Sequence, residues 1–305
     1  MSKDKIKQII EAKVTQDGMV ETGVEGVKLF RVSSPMRCAP AVYEPAVIAI
    51  LSGAKEAILD GQRHVYDSRQ YMCCSMSMPV EAGTPMASPE NPLLGVYISL
   101  DTKVMTELSL AMERSMGTLH KPQGSSLPPG FALAHWDNSF TDALLRLLEL
   151  ADAPSESAIL GEGRLRELYY SVLKGETGAS ARRAFGVGNE IARAIDYLSS
   201  NLNQPVNIET MASQVGMSRA VLHRKFKQAT TMSPIQFVKA MRLNTAAMKI
   251  AAGMNVSSAA MDVGYVSTSQ FSREFKRMYG QAPKQWIHDK QLPTGIGKAA
   301  AHFYH

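Results

Sequence analysis

The sequence predicts an α+β protein: an N-terminal β-sandwich or barrel with flanking helices, then an all-α domain built on two helix-turn-helix units. Short strand-like runs separated by turn residues fill most of the chain up to about residue 100. Apolar residues with helical spacing follow these runs. One helix–glycine–helix phrase then occurs twice within residues 208–283, and it defines the second domain.

The predicted strands are short runs bounded by turn residues, a pattern typical of a small sandwich or barrel. They cover 28–33, 46–51, 55–59, 63–67, 70–76 and 93–100. Asp60-Gly61 lies between two of these runs and favours a tight hairpin turn. Four Pro and Gly residues between positions 79 and 89 predict a longer loop.

Helical spacing begins near Asp101, which is the predicted N-cap of the first helix after the strands. Two amphipathic helices follow, over about 140–151 and 165–173, and Gly175 ends the second. Their wide apolar faces favour a homodimer seam. The alternative is that both helices simply pack on the strands.

Charge is divided unevenly along the 305 residues, a length that favours two or more domains. Residues 1–185 contain 19 Lys+Arg and 22 Asp+Glu, a net charge of −3, whereas residues 186–290 contain 13 and 6, a net charge of +7. A domain that binds a polyanion needs such a positive excess. Residues 121–130 are predicted as a loop, and 175–188, rich in Gly, Ala and Ser, as the linker region.

The two copies of the repeated phrase share four residue types at matching spacing: Ala212, Gly216, Phe226 and Pro234, then Ala260, Gly264, Phe275 and Pro283. Gly to Phe spans ten residues in the first copy and eleven in the second, so the second turn has one additional residue. Units of this form lay their second helix in the major groove of double-stranded DNA.

Each second helix has an inner and an outer face. Helical spacing turns Leu222 and Phe226 inward in the first unit and Phe271 and Phe275 inward in the second, so these aromatic residues are predicted to be core. The opposite faces are left for DNA: Arg219, Ala220, His223, Arg224 and Lys227, then Thr268, Ser269, Ser272, Arg273 and Lys276. The helix N-termini at Ser218 and Ser267 can donate backbone N–H groups to phosphates.

Residues 190–290 resemble the DNA-binding domain of AraC-type (AraC/XylS) transcriptional regulators. The second copy carries this resemblance most clearly, through Gly264, Tyr265, Phe271, Ser272, Arg273, Phe275, Lys276, Gly280 and Pro283. Residues 36 to about 113 are similar to the N-terminal domain of one AraC-type subgroup, on the segments 40–45, 52–55 and 75–80.

The resemblance implies a cupin-like N-terminal sandwich and a sequence-specific regulator controlled by a small-molecule effector. It implies base contacts at Ala220, His223, Arg224, Thr268, Ser269, Ser272 and Arg273. It also implies four segments: 1–180 for effector binding and dimerisation, 181–189 as linker, 190–290 for DNA binding and 291–305 as tail. A helix over 233–252 would span roughly 30 Å, close to one DNA turn of about 34 Å, so both units could enter successive major grooves.

The expected partners are operator or promoter DNA, the effector and a second copy of the chain, with RNA polymerase as a further candidate. No secretion signal or membrane-spanning run is apparent, so we expect a cytoplasmic protein, with no enzyme activity and no cofactor. One alternative is a cupin-type enzyme or ligand-binding module with an accessory DNA-binding domain. Another is an architectural DNA binder without a ligand.

Metal-dependent catalysis is not expected, because His64 is alone in the strand region and His120 and His135 fall in later loops without ligand spacing. Cys38 is predicted to lie in a loop beside Arg37, where its pKa can fall. Cys73 and Cys74 are predicted on opposite faces of one strand, with one of them in the core. Whether any of the three thiols senses redox state or electrophiles stays open against an idle role.

Overall fold

The computed structural model describes residues 2–115, 130–186 and 189–289. In these ranges the strands are β1 (Gly18–Glu21), β2 (Val27–Val32), β3 (Met36–Tyr43), β4 (Ala46–Ser52), β5 (Ala54–Leu59), β6 (Gln62–Asp67), β7 (Gln70–Cys74), β8 (Met78–Thr84), β9 (Leu93–Ser99) and β10 (Phe131–His135). The helices of the first half are α1 (Ser2–Lys13), α2 (Thr102–Ser115), α3 (Asn138–Leu148), α4 (Pro154–Lys174) and α5 (Gly178–Phe185). Those of the second half are α6 (Glu190–Ser200), α7 (Ile208–Gln214), α8 (Arg219–Thr230), α9 (Pro234–Ala251), α10 (Val256–Asp262), α11 (Thr268–Tyr279) and α12 (Pro283–Asp289).

The strands form two antiparallel sheets, which confirms the predicted N-terminal sandwich. One sheet has the order β1-β2-β9-β4-β7-β10, and the other has the order β3-β8-β5-β6. The ring of His64 on β6 lies 5.1 Å from the ring of Phe131 on β10, so these two side chains meet between the sheets. Helix α1 packs on the larger sheet and on α3, which in turn packs on α4.

The hairpin predicted at Asp60-Gly61 is confirmed. Leu59 on β5 pairs with Gln62 on β6, so two residues make the turn. Asp60 and Gly61 both have positive φ, 47° and 78°. A two-residue hairpin loop of the I′ type requires this backbone at both central positions, and Asp-Gly adopts it at little cost.

The predicted loop over 79–89 is wrong in its first half, because β8 continues through Thr84. Strands β1, β3 and β10 were also not anticipated. Proline is tolerated at these places in the smaller sheet: Pro40 lies on the edge strand β3, and Pro79 lies at the start of β8. Cys38 consequently lies on β3 rather than in a loop.

The linker region is shorter than its composition suggested, because α5 occupies 178–185 and ends at Phe185. Ala181 and Phe185 are buried, and α5 packs on α2, α4 and α6. Burial of these apolar side chains stabilises a helix that Gly, Ala and Ser would not indicate. The predicted loop over 121–129, His120 and the tail over 291–305 lie outside the described residues.

Candidate nucleic-acid interface

The two helix-turn-helix units have the same dimensions. Helices α7 and α10 each contain 7 residues, and α8 and α11 each contain 12. Asn207 and Asn255 cap the first helices, and Ser218 and Ser267 cap the second ones through their side-chain oxygens. Both second helices end in a left-handed residue, Thr231 in one case and Gly280 in the other. The predicted duplication is therefore confirmed at the level of caps and lengths.

The glycine turns are also equivalent. Gly216 has φ +68° and Gly264 has φ +88°, a region that favours glycine. In both turns the next residue donates its backbone N–H to an alanine carbonyl, Met217 to Ala212 at 2.8 Å and Tyr265 to Ala260 at 3.0 Å. The second turn has one extra residue before its capping serine. Val266 stands there and is 98% exposed, which explains how the insertion is accommodated without disturbing the core.

The inward faces agree with the prediction. Leu222, Phe226, Phe271 and Phe275 are each 0% exposed. Phe226 meets Phe237 of α9 edge-on, with ring centroids 5.2 Å apart, and Phe271 meets Tyr265 in the same way at 5.2 Å. These rings fix each second helix on its unit, so they are not available for stacking on bases.

The predicted DNA-contacting side chains lie on the outer faces of α8 and α11. Ten of the twelve are exposed, whereas Thr268 and Ser272 are half-buried: the exposed ones are Ser218, Arg219, Ala220, His223, Arg224, Lys227, Ser267, Ser269, Arg273 and Lys276. Arg219 is not free of intramolecular contacts, since its guanidinium lies 2.7 Å from a carboxylate oxygen of Glu209 on α7. This pair is solvent-exposed, so it holds the side chain only weakly.

Two further exposed polar residues were missed on α11. Gln270 and Arg277 are exposed, and they stand three residues before and four residues after Arg273. Helical spacing places positions three and four apart on one face, so the spacing from Arg273 was the signal that could have found them.

The carboxylate of Glu274 holds helix α11 in place through bonds to two residues outside the helix. Glu274 accepts a hydrogen bond from the Tyr265 hydroxyl at 2.8 Å, and its other oxygen lies 3.1 Å from Nζ of Lys239 on α9. Burial alone would raise the pKa of Glu274, but the bonds from Tyr265 and Lys239 outweigh it and leave that pKa below its ordinary value. The second helix of the second unit is thereby fixed to α9.

Helix α9 connects the two units and also docks on the sandwich, where it packs across β3 and β8. Asn244 lies at this contact and is 1% exposed. Its side-chain amide donates to the backbone carbonyls of Ala41 at 2.7 Å and Val80 at 2.8 Å. Its side-chain oxygen accepts from the hydroxyl of Tyr279, the last residue of α11, at 2.5 Å. One side chain therefore joins both strands to the second unit.

A second backbone contact crosses between the halves. The N–H of Gly130, just before β10, donates to the carbonyl of Ala229 in the last turn of α8 at 3.0 Å. Asn244 is a polar residue inside the otherwise apolar face of α9, which is a weak sequence signal for a buried contact. No sequence pattern indicated the backbone contact between Gly130 and Ala229.

The three thiols are not activated. Burial, with the nearby Glu56 and Glu81, raises the pKa of Cys38 to about 11, which corrects the expectation that Arg37 lowers it. Cys73 and Cys74 are both buried, although only one was expected in the core. Burial raises the pKa of Cys73 to about 12, and it raises the pKa of Cys74 as well. The Cys74 thiol donates to the Met76 carbonyl at 3.1 Å.

The described ranges contain no cluster of three or more His, Cys, Asp or Glu side chains arranged to hold a metal ion. In the same ranges, no helix is long and apolar enough to cross a membrane.

Comparison with known proteins matches both halves of the chain. Residues 23–180 match the family model for the AraC-type transcriptional regulator N-terminus, and residues 211–289 match a helix-turn-helix domain. The regulatory protein SoxS of Salmonella typhimurium is 31% identical over 99 residues, which cover 32% of this chain and 92% of SoxS. SoxS of Escherichia coli K12 is 32% identical over 95 residues, covering 31% and 89%.

Among solved structures, the fold is similar to that of ToxT from Vibrio cholerae. ToxT bound to (E)-4-(8-methylnaphthalen-1-yl)but-3-enoic acid matches with a TM-score of 0.56 at 14% identity, covering 86% of this chain and 97% of ToxT. Unsaturated fatty acid-bound ToxT matches with a TM-score of 0.52 at 11% identity, covering 89% and 95%. At these identities the likeness shows a shared fold, including the order of its two halves.

Proposed function

Since the chain belongs to the AraC-type transcriptional regulators, we propose that a small molecule bound between its two sheets controls how its two helix-turn-helix units engage operator DNA. The family accounts for DNA binding and transcriptional regulation. The effector, its place and its influence on DNA binding are the proposal.

The observation that carries this proposal is the docking of α9 on the sandwich through Asn244. A ligand that shifts β3 or β8 as it enters between the sheets also moves the carbonyls of Ala41 and Val80, to which Asn244 donates. A cleft between the sheets beside Glu44 and Tyr97 offers about 10 Å³, roughly the room of one water molecule. Ligand entry would therefore displace side chains, and the displacement would reach α9.

We further propose that both units read one stretch of duplex. Helix α9 contains 18 residues, so it spans roughly 27 Å, somewhat less than one DNA turn of about 34 Å. Ala220, His223 and Arg224 in the first unit are proposed to contact bases, as are Thr268, Ser269, Ser272 and Arg273 in the second. Lys227 and Lys276, with the backbone at Ser218 and Ser267, are proposed to bind phosphates.

The proposed division of labour follows the chain. Residues 1–180 bind effector and dimerise, and residues 190–290 bind DNA in the cytoplasm and bring RNA polymerase to the promoter. A homodimer is supported by apolar side chains on α4 that face solvent, with Ile159 80% exposed and Leu160 and Tyr170 each 42% exposed. Sedimentation of the full chain should show a dimer that the double change Ile159→Glu, Tyr170→Glu converts to monomer.

The main test has two stages. Duplexes bound by the full chain are first enriched from a random library, and the enriched operator is then titrated with and without a cell metabolite extract. We expect one sequence family to emerge and its dissociation constant to shift with extract. Asn244→Leu should bind the operator but lose the shift, whereas the exposed-site control Asn138→Ala should keep it. An operator affinity that no metabolite changes would sink effector control while leaving DNA binding intact.

A further inference from the structure

A small cleft opens between the two sheets at the end where β3 turns into β4. Glu44 lies at its mouth, and its walls include Val42, Tyr43, Ile48, Met72 and Tyr97. The cleft offers about 10 Å³, roughly the room of one water molecule. One small head group of a ligand therefore fits there without displacing a side chain.

The walls of the cleft come from both sheets. Ile48 on β4 pairs with Tyr97 on β9 and with Met72 on β7, so these three side chains share one face of the larger sheet. Tyr43 ends β3 of the smaller sheet. The cleft is therefore an apolar and aromatic gap between the sheets that reaches solvent at the exposed Glu44.

Glu44 is the charged residue among those that line the cleft. Its Oε2 accepts a hydrogen bond from the buried hydroxyl of Ser77 at 2.5 Å, which joins the turn after β3 to the segment between β7 and β8. Within the described ranges, no Lys, Arg or His forms an ion pair with this carboxylate. The carboxylate is thus positioned by the protein and has no cation of the protein beside it.

Two lysines lie in the neighbouring parts of the sandwich. Lys28 on β2 is the direct partner of Tyr97, but its ammonium lies 2.9 Å from a carboxylate oxygen of Glu21. Lys55 on β5 is 3% exposed and does not line the cleft. The walls of the cleft therefore contribute a negative charge and no positive one.

The side chain of Lys55 also points between the sheets. Lys55 alternates with Ala57 along β5, and Ala57 pairs with His64. The ring of His64 meets Phe131 of the opposite sheet, and residues that alternate along a strand share one face. The interior of the sandwich thus holds a cation at one place and an exposed anion at the mouth of the cleft.

A carboxylate beside two phenol rings is suited to an ammonium group. The carboxylate accepts charge-assisted hydrogen bonds, and phenol side chains attract a cation through the ring face or accept a hydrogen bond through oxygen. Burial, with the nearby charge of Glu44, raises the pKa of Tyr97 to about 12, so this phenol stays neutral at pH 7. The volume admits a primary ammonium group, which is similar in size to a water molecule.

We infer that this cleft binds the primary ammonium group of an organic amine, with Glu44 as its counter-ion and with Tyr43 and Tyr97 beside it. The ammonium group lies in the cleft, and the carbon body of the amine leaves through the mouth beside Glu44. This inference rests on the proposed effector control and names the chemical class of the effector.

Strand β3 connects the cleft to the docking contact of α9. Val42 and Tyr43 line the cleft, and the residue before them, Ala41, accepts the hydrogen bond from Asn244 at 2.7 Å. The other acceptor, Val80, is the direct partner of Ala41 on β8. An ammonium group that holds Val42 and Tyr43 in place therefore favours the docked position of α9.

The experiment compares amines with alcohols of the same carbon body on the full chain. Butylammonium is paired with butan-1-ol and benzylammonium with benzyl alcohol, and the melting temperature is recorded during titrations at constant ionic strength. We expect at least one amine to raise the melting temperature in a saturable way, with half-saturation at about ten-fold lower concentration than its alcohol. Potassium and tetramethylammonium ions should not reproduce this effect, because neither donates a hydrogen bond and the second is too large for the cleft.

Glu44→Gln removes the charge but keeps an oxygen that can accept from Ser77, so it should abolish the preference for the amine. Glu90→Gln is the matched control, because Glu90 is also exposed and its carboxylate also bonds a serine hydroxyl, that of Ser88, but it does not line the cleft. This control should keep the preference of the wild type.

Four outcomes would each overturn the ammonium site. They are equal responses to amine and alcohol, no response to either amine, the same response to potassium or tetramethylammonium, and a preference that survives in Glu44→Gln.

Operator titrations separate this inference from the proposed function. The metabolite extract is divided by cation exchange into a retained and an unretained fraction. A shift of operator affinity that the retained fraction causes and that Glu44→Gln loses supports both ideas. A shift caused only by the unretained fraction leaves effector control standing and overturns the ammonium group as the effector's anchor. Amine binding at Glu44 without any operator shift supports the site and contradicts effector control.

Discussion

Asn244 donates its side-chain amide to the backbone carbonyl of Ala41 at 2.7 Å, across 203 residues of sequence. The same amide reaches Val80, and the amide oxygen holds Tyr279. A single buried side chain thus satisfies groups on two strands and on the second helix of the second unit. Such a fully bonded polar group specifies one docking position, because any shift of α9 leaves several buried groups without partners.

Asn244→Ala should lower the free energy of unfolding by about 1–3 kcal/mol, because two buried carbonyls and the Tyr279 hydroxyl lose their hydrogen-bond partner. Urea unfolding followed by circular dichroism measures this change, and the exposed-site variant Asn138→Ala should stay within about 0.5 kcal/mol of the wild type. Equal stabilities of the two variants would show that the docking contact is not formed in solution.

Gly264→Ala should destabilise the protein more than Gly216→Ala. Both changes force alanine into a left-handed backbone, at a cost of about 1 kcal/mol or more. At Gly264 the new Cβ would also lie 2.8 Å from the carbonyl oxygen of Leu202 and 2.9 Å from the Cα of Asn203, whereas nothing lies within 4 Å at Gly216. Thermal unfolding of the two variants measures the difference. A larger loss of stability for Gly216→Ala than for Gly264→Ala would contradict the close approach at Gly264.

Arg273→Ala should weaken binding to the selected operator by about 1–3 kcal/mol and relax the preference at one or two base pairs. Lys227→Ala should instead weaken all duplexes alike and flatten the dependence of affinity on salt. Titrations of operator and scrambled duplex at several salt concentrations distinguish the two effects. If Arg273→Ala weakens binding to operator and scrambled duplex by the same factor, Arg273 contacts phosphates rather than bases.

Stability should rise with pH through the interval from about 8 to 10.5 because of Lys55, whose folded pKa is lowered to about 8 from 10.5. In that interval the unfolded chain binds the proton that the folded chain releases, so raising pH favours folding. Tyrosines and cysteines with raised pKa values act in the opposite direction, so the difference between wild type and Lys55→Met isolates the lysine. We expect this difference to change by about 3 kcal/mol, and a flat difference would contradict burial of the ammonium.

Native thiols should react slowly with iodoacetamide at pH 7. The raised pKa of Cys38 leaves very little thiolate at that pH, and Cys73 and Cys74 are buried. Mass spectrometry should find all three cysteines labelled only after unfolding in urea, and operator binding should survive treatment of the native chain. Rapid native labelling of Cys38, absent in Cys38→Ser, would restore the sensor hypothesis.

The features that sequence reasoning anticipated are those set by local chemistry. Asp60-Gly61 dictates its turn without help from distant residues, and the capping residues Ser218 and Ser267 mark where their helices begin. The repeat then compensated for the weakness of each single motif, because the second copy predicted the same serine cap and the same inward positions as the first.

The features that were missed depend on residues far apart in the sequence. Pro79 looked like part of a loop, yet it pairs with Val42 across a ladder that no local pattern announces. Arg37 is the sequence neighbour of Cys38, but Glu56 and Glu81 on adjacent strands act more strongly on the thiol. The inner position of Lys55 likewise became apparent only once the sheets were assembled.

The helix that occupies most of the expected linker has a mechanical consequence. Only five peptide units separate Phe185, the end of α5, from Glu190, the start of α6, and such a stretch reaches at most roughly 18 Å. A DNA-binding half that undocks from the sheet therefore stays close to it, and its effective concentration at the docking site is in the millimolar range or above. Rebinding of the two halves is therefore an intramolecular step, and its rate does not depend on how much of the regulator the cell contains.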